Sequence, residues 1–419
     1  MTISQRVVII GNSGAAISAV KSIRETGKTC SITVISRERC LAYSPVLTTY
    51  YIGNHIERTR LFWVDELFYK SANVEALLGK EVVRVDPHKQ CLHLNDATTI
   101  PFDRLLIASG SSAKRPRLEG TGRDSIFTLR TLEDAEKIKT ASQRAKDIIF
   151  VGAGLVSLQV ASQLYRKNVK MTFLVSSDRI LSQNLDEEGA RIVQHRIERM
   201  GPTFLFHREL KTVEKKKDRF VVATNRDETI EGDLVFVGKG VTPNIQFLPD
   251  GPKTDKGVLV NDRLQTDIEN IYAAGDVTEG INPLTNQRAV IANWLNACRQ
   301  GNAAGLAMMG EEETFTDFIP RNVTNVFGLL ISSMGALDGL QETQAEQMKI
   351  SDPQREIYCK VISRGEKVIG ANIIGDINDA GLVDSAIREG CPAVLDKELF
   401  SKYLLRLDGP LTSLWERRS

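Results

Sequence analysis

Short apolar runs, each closed by a glycine-bearing turn and followed by apolar residues at helical spacing, recur along this chain. "RVVIIG" (6–11) predicts a buried strand, and "AAISAVKSIRETG" (15–27) predicts a helix stopped by Gly27. "SITVIS" (31–36) then predicts a second strand, with Glu38 just beyond it. The same order returns in "KDIIFVGAGLVSLQVASQLYRKNVKMTFLV" (146–175). Strand, turn, helix and strand in this order predict the α/β class with parallel sheets. Near the C-terminus, "REIYCKVISRGEKVIGANIIGD" (355–376) reads as two alternating strands around an Arg-Gly turn, and "DAGLVDSAIREG" (379–390) as a helix.

Composition narrows the function classes. The chain has 419 residues, 42% of them hydrophobic and 26% charged, with a formal net charge of +1. Such length calls for two or three domains, and such balance speaks against a nucleic-acid or membrane-surface role. The basic run Lys215–Lys217 reads as a solvated hairpin tip. No apolar run approaches the ~20 residues needed to cross a bilayer, and cysteines scattered without a framework suit the reducing cytoplasm that is expected. The six cysteines, at 30, 40, 91, 298, 359 and 391, form no C-x-x-C pair. The five histidines form no ligand pattern either. No metal site is expected, and the chemistry must come from an organic cofactor.

The two turns are candidate cradles for such a cofactor. In the first, Gly11 permits a sharp turn, Ser13 leaves room for close backbone approach, and Ala16 allows tight packing. Gly14 and Ala15 open the helix, whose free N–H groups would face a pyrophosphate, and Glu38 would accept from a ribose. Taken alone, this loop also fits a plain α/β turn. The second loop, Gly152-x-Gly154-x-x-Ser157 with Leu155 and Val156 in the first helical turn, changes that. Two cradles suggest two dinucleotides, and a flavin with a nicotinamide is the natural pair.

With these motifs in order, the sequence resembles the FAD-dependent pyridine-nucleotide oxidoreductases that carry two dinucleotide domains. That group holds rubredoxin and ferredoxin reductases, the flavin part of nitrite reductases and coenzyme A-disulfide reductases. "FDRLLIASGSSAKRP" (102–116), "IFTLRTLEDAEKI" (126–138), "DLVFVGKGVTPN" (233–244) and "TDIENIYAAGDV" (266–277) resemble the family's segments in their usual order. The resemblance implies FAD on the first loop, with Ser109, Gly110, Gly275 and Asp276 as further contacts and Asp276 holding the ribityl chain. It implies NAD on the second loop, with Val175 at the place of the ribose acid, Gln159 in place of a helix glutamate, and Gly238 nearby. The implied fold is Rossmann-like twice over: a split FAD domain (1–112 and 242–318), an inserted NAD(P) domain (113–241), and a C-terminal α+β interface domain (319–419) that pairs subunits. Trp294 resembles a packing residue of the family's helix past the flavin, and His195 reads as solvated.

The family divides by electron outlet. In "RERCLAYSPVLTTYYIGN" (37–54) the place of the single redox cysteine is taken by Val46, with Cys40 six residues earlier. The loop resembles that of ferredoxin- and nitrite-reductase-like members, with Thr49 in place of a lysine. Three readings follow. One is a flavoprotein exchanging electrons between NAD(P)H and an iron–sulfur protein, as the flavin subunit of a larger oxidoreductase such as the 2-oxoacid type exemplified by phenylglyoxylate dehydrogenase. Another is a coenzyme A-disulfide reductase or NADH oxidase using Cys40. The third is a flavin-bearing scaffold with a dead nicotinamide site.

Overall fold

The computed structural model describes residues 5–337 and 345–390. The chain divides into two compact units: Met1–Ser112 with Val241–Phe318, and Ala113–Gly240 with Ile319–Ser419.

The first unit is built on a five-stranded sheet in the order Ile271–Ala273, Arg104–Ile107, Gln5–Ile10, Cys30–Ser36, Val74–Leu78. Every neighbouring pair is parallel. Val7, Val8, Ile9 and Ile10 are all buried, as expected of a central strand covered on both faces. Strand order reverses at Gln5–Ile10, so the loop after Ile10 opens at the topological switch point, where such sheets bind ligands.

The helix Gly14–Glu25 follows that loop and packs against the helix Trp294–Met308. Small residues make the approach close. A Cβ added at Gly301 would lie 2.0 Å from the Ala15 carbonyl oxygen, and one at Gly305 would lie 2.7 Å from that of Ala19. An antiparallel sheet of Val82–Asp86, Cys91–Leu94 and Thr99–Pro101 belongs to the same unit.

The second unit repeats the motif. Its parallel sheet runs Thr203–Phe206, Lys170–Val175, Asp147–Val151, Leu234–Val237, with the switch point after Val151. The hairpin of Leu210–Lys216 and Arg219–Thr224 turns at Lys217, so the basic run does lie at an exposed tip.

The same unit holds an antiparallel sheet in the order Arg321–Val326, Leu329–Gly335, Lys367–Ile374, Ile357–Arg364, Glu346–Asp352. The sequence alternation around Arg364-Gly365 gives the two expected strands, but Lys367–Ile374 is buried at every position after Lys367. It is the central strand, and the helix Ala380–Glu389 packs on it. This sheet is tied to the nucleotide-type fold by a partly buried polar cluster. The Asp186 carboxylate accepts from the Tyr358 hydroxyl at 2.6 Å and pairs with Lys360 at 3.1 Å. Cys391 lies outside the described residues.

Candidate functional site: two nucleotide cradles

The first cradle is shaped by backbone crowding. The Gly11 N–H donates to the Ile35 carbonyl and the Ala108 N–H to that of Ile10, both at 2.8 Å. With φ of +116°, Gly11 would place a Cβ 2.1 Å from the Ala108 oxygen, so no other residue fits there. Ser13 is the exposed N-cap of the following helix, yet its side chain makes no capping bond and the first turn holds no acid. The N–H groups of Gly14 and Ala15 are thus left to an external acceptor. The contrast with other helices is direct, since Thr131, Asp186 and Asn293 each cap their own helix with a side chain.

Around that N-terminus the predicted residues converge within the first unit. Asp276 is 8% exposed and accepts from the Ser111 hydroxyl at 2.9 Å. Gly275, with φ of +88°, donates its N–H to the Gln300 Oε1 at 2.7 Å. Ser109 donates to the Asn244 carbonyl, and the Gly110 carbonyl accepts from the Asn244 N–H. Glu38 lies beyond the second strand, its carboxylate accepting from the Tyr43 hydroxyl at 3.0 Å. Ser111, Asn244 and Gln300 are additions that motif reading missed. All three lie in stretches that carry the resemblance: Ser111 within 102–116, Asn244 at the end of 233–244, and Gln300 on the helix of Trp294. The Gln300 Nε2 is buried with no protein partner.

The second cradle repeats the frame bond for bond. The Gly152 N–H donates to the Leu174 carbonyl at 2.8 Å and the Gly238 N–H to that of Val151 at 2.9 Å. Gly152 (φ +96°) would place a Cβ 2.5 Å from the Gly238 oxygen, whereas one at Gly154 meets nothing within 4 Å. The helix Leu155–Leu164 also lacks a side-chain cap and a first-turn acid, with Leu155 half-exposed and Val156 exposed. Beneath it the Ser157 hydroxyl is buried without a partner.

The strand end differs between the two. Val175 is only 2% exposed, so its side chain packs inward, and the first exposed residue is Ser176. The Lys239 ammonium reaches Ser176 and donates to its hydroxyl at 3.0 Å. Counted from the shared backbone bond, the place of Glu38 falls to Ser177, whose hydroxyl donates to the Arg179 carbonyl at 2.7 Å. Arg179 pairs with Asp178 at 3.1 Å. Gln159 donates to the Thr324 hydroxyl at 2.6 Å, tying the helix to the C-terminal sheet.

Residues 5–301 match the pyridine nucleotide-disulphide oxidoreductase family, and residues 320–391 match the rubredoxin NAD+ reductase C-terminal domain. The chain belongs to the pyridine nucleotide-disulphide oxidoreductases. It is 28% identical over 334 residues to the NADH-dependent phenylglyoxylate dehydrogenase subunit epsilon of Aromatoleum evansii, covering 79% of each chain. It is 27% identical over 384 residues to the NADH-rubredoxin oxidoreductase of Clostridium acetobutylicum, covering 90% of this chain and 92% of that one. In fold it resembles the NADH-bound water-forming NADH oxidase of Lactobacillus brevis, with a TM-score of 0.85 and 18% identity over 93% of this chain and 92% of that one.

The cofactors of this oxidoreductase are FAD and a nicotinamide nucleotide. Both cradles fit such groups physically: each presents an uncapped helix N-terminus behind a glycine that backbone contact enforces, and each carries an orphaned buried polar atom.

Two cysteines border the first cradle. The Cys40 carbonyl accepts from the Asn12 amide within the first glycine loop at 3.5 Å. Val46, at the family's redox-cysteine place, is 52% exposed, and Thr49 is buried. Cys298 lies against Gly14, and burial pushes its thiol up despite the opposing Ser18 hydrogen bond and Lys21 charge. Burial pushes Cys359 up to about 12. Trp294 packs edge-on to Trp63, ring centroids 5.1 Å apart, and His195 is exposed as expected.

One histidine and one cysteine that sequence spacing does not pair come together in space. Asp86, Cys91 and His93 converge, with one potential donor atom each within 4.8 Å of the others, because the hairpin register sets Asp86 opposite Cys91. The Lys89 N–H and the charges of Lys89 and Arg84 already hold the Asp86 carboxyl below its usual range. That positive surrounding opposes a cation. Among the described residues no helix is long and apolar enough to cross a membrane.

Proposed function

We propose that this chain is an FAD-dependent NAD(P)H:acceptor oxidoreductase that passes electrons between a nicotinamide nucleotide and an iron–sulfur protein. We further propose that it serves in the cytoplasm as the flavin subunit of a larger oxidoreductase, of the 2-oxoacid or phenylglyoxylate type. The observation that carries the reading is the pairing of two nucleotide cradles with an apolar, exposed Val46 where a redox thiol would stand. Bound FAD supplies a centre that takes two electrons as hydride and releases them singly.

The roles follow from chemistry. Gly11, Ser13, Gly14 and Ala15 receive the FAD pyrophosphate, Glu38 the adenosine ribose, and Asp276 the ribityl hydroxyls. Ser109, Gly110 and Gly275 give backbone close approach. Gly152, Gly154, Leu155, Val156, Val175 and Gly238 form the nicotinamide cradle. Residues 1–112 with 242–318, 113–241 and 319–419 act as FAD, NAD(P) and interface domains, the last pairing subunits in a homodimer. The likeness to an NADH-dependent dehydrogenase subunit and to an NADH-rubredoxin oxidoreductase supports the nucleotide and, through rubredoxin, the iron–sulfur partner.

The test is purification under native conditions. Co-purification with cluster-bearing subunits, and flavin that NAD(P)H reduces and those subunits reoxidise, is the expected result. Rapid turnover of coenzyme A disulfide by the lone chain, abolished in Cys40→Ser, would favour the thiol reading instead.

A further inference from the structure

At the exposed end of the second cradle a cation stands one residue before Ser177, the position that matches the ribose acid of the first cradle. A carboxylate there accepts from the ribose 2′-hydroxyl and repels a 2′-phosphate, whereas a nearby cation accommodates the phosphate. Here Val175 is packed away and Ser176 takes the exposed position after the strand. The Lys239 ammonium lies 3.0 Å from the Ser176 hydroxyl, and a Cβ on Gly152 would be 3.9 Å from the Lys239 Cδ. The lysine stem therefore runs past the base of the glycine turn and delivers its charge to the strand end.

No ion pair joins Lys239 to a carboxylate among the described residues. The nearest acid in sequence to Ser176, Asp178, pairs with Arg179 at 3.1 Å. In the first unit the residue matching Lys239 is Ser109, which is turned to the Asn244 carbonyl. The lysine is thus particular to the second cradle.

We propose that Lys239, with the Ser176 hydroxyl, selects a 2′-phosphorylated nicotinamide nucleotide, so that NADPH is the preferred coenzyme. This rests on the reading of the second cradle as the nicotinamide site. The ammonium donates to the dianionic phosphate in a charge-assisted bond, Ser176 gives a second donor, and no free carboxylate opposes them.

The test measures kcat/KM for NADPH and NADH with ferricyanide, using FAD-loaded full-length protein, wild type, Lys239→Gln and Ser176→Glu. Wild type should favour NADPH. Loss of a charged hydrogen bond predicts that the NADPH/NADH ratio falls about 10- to 100-fold in Lys239→Gln, through KM rather than kcat. The ratio should also fall with added salt in wild type but not in Lys239→Gln. Ser176→Glu, at an exposed position, should invert the preference. Titration with adenosine 2′,5′-bisphosphate against 5′-AMP gives a second readout independent of turnover, and the bisphosphate should bind more tightly only while Lys239 is present. A wild-type preference for NADH, or an equal loss with both coenzymes in Lys239→Gln, overturns the selectivity while leaving the cradle assignment intact. Failure of both coenzymes to reduce the flavin, with neither adenosine nucleotide binding, overturns the cradle assignment itself.

Discussion

In the first cradle, motif glycines are replaced at Ser13 and Ala16, yet the surroundings supply Glu38, Ser111, Asp276 and Gln300. In the second, Gly152 and Gly154 are kept, yet the strand end offers Val175, Ser176 and Lys239 instead of an acid. The frames are the same: in each, one glycine N–H bonds to the neighbouring strand and its α-carbon abuts the residue after the next strand. The frame, then, requires only the first glycine. What the cradle can hold is decided by polar groups delivered from elsewhere in the unit.

The sharpest way to break that comparison is to substitute a glycine that the frame needs and one that it does not. Gly11→Ala drives a Cβ into the Ala108 carbonyl, so the expected outcome is loss of bound FAD and a markedly lower melting temperature. Gly154→Ala meets open space. It should leave the melting temperature unchanged and weaken only nicotinamide binding, as read by titration. Equal thermal damage from both would contradict the shared-frame account.

Asp276→Ala comes next in size. The carboxylate is buried beside Ser111, and losing a charged hydrogen-bond acceptor should raise the FAD dissociation constant about 10- to 100-fold. Unaltered flavin retention after dialysis would remove Asp276 from the cradle.

A smaller effect belongs to the second unit. Burial raises the Asp186 carboxyl, but the Tyr358 hydroxyl, the Gly189 N–H and Lys360 outweigh it and leave it below its usual value. A depressed carboxyl contributes stability above the unfolded-state pKa near ~4, lost as pH falls through the folded value. Asp186→Asn should therefore cost about 1–3 kcal/mol near neutral pH, with the gap to wild type closing in acid. A gap that stays constant with pH in thermal melts would show that charge is not involved.

The smallest effect expected is that of Cys40→Ser. Cys40 sits against the glycine loop through its main chain, so NAD(P)H-dependent ferricyanide reduction should stay within about twofold, a difference worth under about 0.5 kcal/mol. Loss of activity together with loss of a thiolate–flavin charge-transfer band would make the thiol the outlet.

Most of the architecture was legible because buried parallel strands and small-residue turns write themselves into the sequence. "VVII" and "IIFV" read as covered strands because β-branched residues dominate both and each ends where a glycine must turn. The central position of Lys367–Ile374 was not legible. Burial on both faces depends on the helices Ala380–Glu389 and Glu187–Arg199, which alternation alone does not reveal. The cradle glycines were visible as spacing, whereas Ser111, Asn244 and Lys239 reach their cradles from distant segments of their units. The grouping of Asp86, Cys91 and His93 depends on hairpin register, which pattern reading does not fix.

The central claim is that electrons enter at a nicotinamide cradle and leave through flavin without a thiol relay. Anaerobic stopped-flow mixing of the FAD-loaded protein with NADPH or NADH tests it most directly, followed by a second mix with an oxidised iron–sulfur protein or with coenzyme A disulfide. The account predicts that the visible flavin absorbance bleaches without a thiolate charge-transfer band, returns rapidly with the iron–sulfur protein, and returns slowly with the disulfide. Rapid return with the disulfide, or no bleaching by either nucleotide, would contradict it.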